Sequence, residues 1–138
     1  MPVRYEKGAD GIVTLTLDAP GAPVNTMTDA WKKAFAGAVE RLQKEKDTIA
    51  GVILCSAKKT FFAGAELKDI LKLTEKDAPR LFAEIEEVKR DFRALDKLGK
   101  PVVAALEGAA LGGGWELALA AHCRICLDDE RIELGLPE

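Results

Sequence analysis

"ALEGAALGGGWELALAA", residues 105–121, decides how the rest of the chain is read. Small apolar residues give way to three consecutive glycines, Gly112, Gly113 and Gly114, then to a Trp-Glu pair and an apolar run of helical spacing. Pro101 to Leu106 reads as a buried strand and Leu111 to Ala121 as a helix, which puts the glycines at a strand-to-helix junction. Two readings stand there. Without a Cβ the backbone can take positive φ and turn its amides towards an anion; equally, glycines let a strand and a helix pack tightly. A second small-residue loop, "FFAGAEL" (61–67), follows the apolar run Ile49 to Ser56, which also reads as a buried strand. Two backbone-exposing loops after neighbouring strands favour the anion reading, because two N–H groups converging on one oxygen make an oxyanion hole.

Nucleotide-type glycine loops fit worse. The spacing G-x-x-x-G-G-G lacks the G-x-G-x-x-G of a dinucleotide fold, and no Lys-Ser or Lys-Thr follows as a P-loop needs. Glu116, two residues past the last glycine, has an ordinary explanation as a carboxylate at a helix start. It also has a chemical one, as a general acid or base beside the loop, with Glu138 in "ELGLPE" as a second carboxylate on a later loop.

Outward from this centre the periodicity alternates between two and 3.6. Ile12 to Leu17 alternates as a strand, with Val3 to Tyr5 as its partner across the Gly8 to Gly11 turn. Thr26 and Asp29 stand at capping-box spacing before a helix with an apolar stripe of Trp31, Ala34, Phe35, Ala38 and Leu42. Asp77 as N-cap and Pro79 in the first turn open a second long helix, whose stripe is Leu81, Phe82, Ile85, Val88, Phe92 and Leu95, and Gly99 stops it. Cys123 to Leu127 and Ile132 to Leu134 read as short closing strands. Strands alternating with helices predict an α/β fold with largely parallel pairing.

With 138 residues, 48% hydrophobic, the chain suits one domain or part of one. A net charge of −3 with interspersed signs argues against nucleic acid as a partner. No apolar run reaches the roughly 18 residues of a membrane span. Early Glu6 and Asp10 break the order of a signal peptide, so a cytoplasmic location is expected. Cys55, Cys123 and Cys126 read as reduced, buried thiols: the C-x-x-C pair has no second ligand pair, so no metal site is expected. His122, the only histidine, reads as a partly buried structural residue.

Together, "KKTFFAGAELKDI", "KPVVAALEGAALGGGWELALAAHCRI" and "ELGLPE" resemble, in order, the three signature segments of the crotonase superfamily, the enoyl-CoA hydratases and isomerases. The opening "GIVTLTLDAPGAPVNTMT" is similar to the hydratase part of multifunctional fatty-acid oxidation α-subunits. The resemblance implies a ClpP/crotonase-like spiral of ββα units, with residues 1–138 as the N-terminal part of an acyl-CoA-binding catalytic domain, ending before a C-terminal helical segment. It implies acyl-CoA thioesters as ligands, trimeric assembly of the intact protein, and no separate cofactor for hydration, coenzyme A being part of the substrate. By the same resemblance Ala65 and Gly113 supply the two oxyanion-hole amides, and Glu116 and Glu138 are the catalytic pair. Ala63, Gly64, Leu67, Lys68 and Gly112 contact substrate or its CoA portion. Glu66 and Glu107 depart from the family pattern, which often carries Asp and a smaller polar residue there. The paired glutamates point to hydration of 2-enoyl-CoA in fatty-acid β-oxidation. Alternatives are enoyl-CoA isomerisation, thioester hydrolysis, or a non-catalytic acyl-CoA-binding module; for the 138-residue chain, weak or no activity is expected.

Overall fold

The computed structural model describes residues 1–138, apart from the side chains of Leu67 and Lys68. Strands β1 (Val3–Lys7) and β2 (Ile12–Leu17) form the expected hairpin. Its turn closes through Gly8 N to Ile12 O (2.9 Å), and Gly11 takes φ 79°. Helix α1 (Asp29–Glu45) then returns the chain to β3 (Gly51–Ser56), parallel to β2. After the short α2 (Leu67–Ile70), α3 (Ala78–Asp96) leads to β4 (Val102–Leu106), parallel to β3. The chain continues through β5 (Ala110–Leu111), α4 (Gly113–Leu119), β6 (Cys123–Cys126) and β7 (Leu134–Gly135). The main sheet has the order β1-β2-β3-β4-β6, and β5 and β7 pair in a separate two-stranded sheet. This is the expected α/β architecture with parallel pairing outside the opening hairpin.

One face of the sheet makes the core. Val13, Val52 and Val102 stand in register, as do Leu15, Leu54 and Ala104, and all six are at most 2% exposed. Trp31, Phe35, Ala38, Val39 and Leu42 of α1 are buried. Trp31 stacks on Phe35 at 4.8 Å between ring centroids and meets Phe62 edge-on at 4.9 Å. Burial of each such aromatic removes about 150–250 Å² from water, the dominant local term.

Several expectations are corrected. β3 and β4 are not buried on both faces: their exposure alternates, and Ile53 is 36% exposed. The N-cap of α1 is Thr28, whose hydroxyl accepts from Trp31 N (3.2 Å), while Thr26 instead donates to Glu66 Oε2 (3.3 Å). Asp77 precedes α3, but its carboxylate turns back to Thr74 N and Oγ1, both at 2.9 Å, and caps the preceding turn. Of the predicted α3 stripe only Leu95 is buried; Phe82 is 67% exposed, because α3 meets the body through few side chains, Phe92 against Phe35 among them. Cys123 and Cys126 are exposed rather than buried, since β6 forms an edge of the sheet, and Cys55 is half-buried. The last strand lies at Leu134–Gly135 because it pairs with β5, a two-residue strand that periodicity did not reveal.

Candidate functional site

Three separate stretches of sequence are stitched side by side. Phe61 N and Phe62 N both donate to Ala109 O (2.9 and 3.2 Å), and Leu111 N donates to Phe62 O (3.1 Å). On the other side, Ala110 N donates to Glu133 O and Gly112 N to Gly135 O, each at 3.0 Å. The FFAGAEL loop, the glycine run and the ELGLPE segment therefore meet at one place. A fourth stretch holds the first: Ala63 N donates to Asn25 O and Met27 N to Gly64 O, both at 2.9 Å.

Gly64, Gly108 and Gly114 stand where backbone segments touch, whereas Gly113 faces the movable end of Met27. A side chain on Gly114 would strike the Phe62 backbone, and one on Gly108 the Lys59 carbonyl. A Cβ on Gly113 would stand 2.8 Å from Met27 Cε, and one on Gly64 would stand 3.1 Å from Leu111 O. Gly64 takes φ 87° and Gly112 takes φ 53°, values that L side chains adopt only under strain. The tight-packing reading of the run is thus fulfilled by the protein itself.

The predicted residues fall around this junction. Gly113 opens α4, where an amide has no intrahelical partner. Among the described residues, neither Gly113 N nor Ala65 N donates a hydrogen bond within the chain. The Gly112 amide, in contrast, is taken by Gly135 O. Glu116 is exposed in the first turn of α4, its Oε2 3.8 Å from where a Gly113 Cβ would lie. Glu138 reaches the junction from the last segment, its Oε1 against Gly112. The structure therefore brings both glutamates to the Gly112–Gly113 peptide. Ala63 and Ala65 are exposed and Gly64 is buried; the side chains of Leu67 and Lys68 lie outside the described residues.

A cleft of about 830 Å³ opens beside the junction, lined by Ala65, Glu66, Met27 and Glu116 and extending between α1, α2 and α3. Leu81, Ile85, Val88 and Phe92 give its α3 wall an apolar run, with Arg80, Glu84 and Lys89 on the same wall. Lys32 crosses from α1 to α3, with Nζ 2.8 Å from both Asp29 Oδ1 and Glu84 Oε2. Burial pulls the Lys32 ammonium down, but hydrogen bonds to Asp29 and Glu84 outweigh it and hold it above its usual value. The bond from Lys32 keeps Glu84 below the ordinary carboxylate range against some desolvation.

His122 stands apart. Val102 N donates to its Nδ1 (3.0 Å), and Nε2 lies 2.6 Å from Asp96 O, so both ring nitrogens bracket backbone; the ring is more exposed than expected. Among the described residues no cluster of three histidine, cysteine or acidic side chains is placed to hold a metal, and no helix is long and apolar enough to cross a membrane. Sequence reasoning missed Asn25 and Met27. Asn25 is fully buried and Met27 fills the space before Gly113; the only local signal was an amide in an otherwise apolar loop.

Residues 7–138 match the family described as enoyl-CoA hydratase/isomerase. The fatty acid oxidation complex subunit alpha of Idiomarina loihiensis is 37% identical over 134 residues, and that of Shewanella loihica is 41% identical over 131. Each alignment covers 94% of this chain but 18% of the relative, so the chain spans less than a fifth of their length. A crystal structure of enoyl-CoA hydratase from Bacillus anthracis superposes with a TM-score of 0.83 at 27% identity, covering 99% of this chain and 50% of that one. An enoyl-CoA hydratase from Bacillus halodurans gives 0.81 at 26% identity, covering 91% and 50%. The fold is thus the crotonase fold, over about half the length of those solved chains. With nearly every residue matched in order, the chain belongs to the enoyl-CoA hydratase/isomerase family.

Proposed function

We propose that residues 1–138 carry the acyl-CoA-binding and catalytic portion of an enoyl-CoA hydratase, which adds water to a 2-enoyl-CoA to give the 3-hydroxyacyl-CoA of fatty-acid oxidation. One observation carries the reading: two amides without partners among the described residues and two carboxylates meet around the Gly112–Gly113 peptide. The thioester oxygen receives the Ala65 and Gly113 N–H groups. As water adds, electron density moves from the double bond onto that oxygen as an enolate. Each fixed donor there is worth about 3 kcal/mol of barrier.

Glu116 and Glu138 handle the water. One carboxylate takes a proton as the water oxygen bonds to C3, and a proton returns to C2 as the enolate collapses, so the net change is one water added on one face. The run Leu81, Ile85, Val88 and Phe92 on α3 suits an acyl chain, and Lys32, Lys72, Arg80 and Lys89, which also line the cleft, are cations of the kind the phosphates of CoA require.

The test follows the conjugated enoyl-thioester absorbance after adding crotonyl-CoA, for this chain and for one extended to the length of the solved relatives. Hydration predicts a loss of absorbance that Glu116→Gln slows by roughly 10²- to 10⁴-fold while acyl-CoA still binds. Binding without absorbance loss in either form would replace hydration by other thioester chemistry or by a binding module.

A further inference from the structure

The cleft holds a feature that the hydration chemistry does not use. Leu81, Ile85, Val88 and Phe92 run along one face of α3, a stretch of about 16 Å at 1.5 Å per residue. Across this apolar face lies a chain of charge. Lys32 Nζ is 2.8 Å from Asp29 Oδ1 and from Glu84 Oε2, and Glu84 Oε1 accepts from Arg80 Nη1 at 3.0 Å. Glu84 sits between Leu81 and Val88 on the same helix, and Lys32 and Glu84 are only 25% and 29% exposed. Each is held by a further partner, Lys32 by Asp29 and Glu84 by Arg80, so neither swings freely.

We propose that the Lys32–Glu84 pair determines acyl-chain length, as a polar stop set across the apolar wall. This rests on the acyl-CoA reading of the cleft. Each methylene laid on Leu81 or Val88 leaves water and raises affinity about three- to fourfold. A methylene pressed on the ion pair strips water from two charges and offers no hydrogen bond in return. The gain with length therefore ends at the pair. A pair that only ties α1 to α3 would leave the dependence on length untouched when removed.

The experiment measures, by titration calorimetry, the dissociation constants of saturated acyl-CoA thioesters from butyryl to palmitoyl. It compares the unmodified chain with Lys32→Met and with the double variant Lys32→Met/Glu84→Leu, in which neither charge of the pair is left at the stop. In the unmodified chain affinity climbs with length and then levels off. In the double variant the levelling moves to longer chains by two or more methylenes and the ratio of palmitoyl to butyryl affinity rises roughly tenfold, while Lys32→Met, which leaves Glu84 paired with Arg80, shifts it less. Levelling at the same length in all three proteins overturns the inference and leaves the pair a tie between helices. Failure of the unmodified chain to bind a thioester of any length instead sinks the acyl-CoA reading on which the inference stands.

Discussion

Glu138 Oε1 occupies the space into which a side chain at Gly112 would grow. The relationship joins residues 26 positions apart through two bonds, Ala110 N to Glu133 O and Gly112 N to Gly135 O, which set the last segment in register beside the glycine run. The position of the Glu138 carboxylate is therefore a consequence of what Gly112 lacks.

Gly112→Ala tests this directly. Its φ of 53° and ψ of −127° lie where a residue with a Cβ pays roughly 1–3 kcal/mol, and the new methyl group would also displace the Glu138 carboxylate. We expect a loss of stability of that size in urea denaturation, together with a loss of enoyl-CoA turnover larger than the fraction unfolded explains. Gly21→Ala is the control, because it shares positive φ but has nothing within 4 Å of a Cβ. Equal behaviour of the two variants would show that strain alone, not the Glu138 contact, is at stake.

How far these relationships could be read in the sequence depends on their range. Ile12 to Leu17 was legible because a strand with one covered face alternates along its own length, and α1 because its stripe meets the sheet. The α3 stripe was equally regular, yet Phe82 and Ile85 are 67% and 47% exposed: periodicity records which residues are apolar, not whether another element lies against them. The glycine run and both glutamates were legible as local motifs, and their meeting followed from resemblance. Asn25 was not legible, since its partners lie up to 36 residues away and no local pattern marks a buried amide.

Tyr5, the only tyrosine, gives a prediction in pH. Its hydroxyl donates to Glu45 Oε2 at 3.0 Å while the Arg41 guanidinium lies 3.9 Å above its ring. Burial, then the hydrogen bond to Glu45 and the charge of that carboxylate, push the phenol up to about 12 from 10.0, with Arg41 opposing. The folded state thus keeps a proton that the unfolded chain releases. The resulting stability is complete below pH 10 and is lost as pH rises from 10 to about 12. Phenolate absorbance of the folded protein should rise near the upper value. Denaturation of Tyr5→Phe should lack this component of the alkaline decline. A phenolate titrating near 10 in the folded chain would contradict the assignment.

Asn25 carries the last prediction. Its side chain is fully buried beneath the FFAGAEL loop. Oδ1 accepts from Ala19 N (2.8 Å), and Nδ2 stands within donating reach of Ser56 Oγ (2.9 Å), Leu17 O and Phe61 O (both 3.2 Å). The ends of β2 and β3 and the start of the loop are held by this one amide. Asn25→Ala takes the partner from the Ala19 amide and the Phe61 carbonyl, whereas Leu17 O keeps Ala57 N and Ser56 Oγ keeps Lys58 N and Thr60 O; each lost partner is worth roughly 1–3 kcal/mol, so the expected cost is about 3 kcal/mol in urea denaturation. Asn25→Asp should cost at least as much, because it replaces the donor with a carboxylate facing two carbonyl oxygens. The Asn25 carbonyl also receives Ala63 N, two residues before Ala65, so loosening this point should raise hydrogen exchange at Ala63 before it affects β2. A cost below about 0.5 kcal/mol, the range of an ordinary surface change, would show that water replaces the amide and that the loop is held elsewhere.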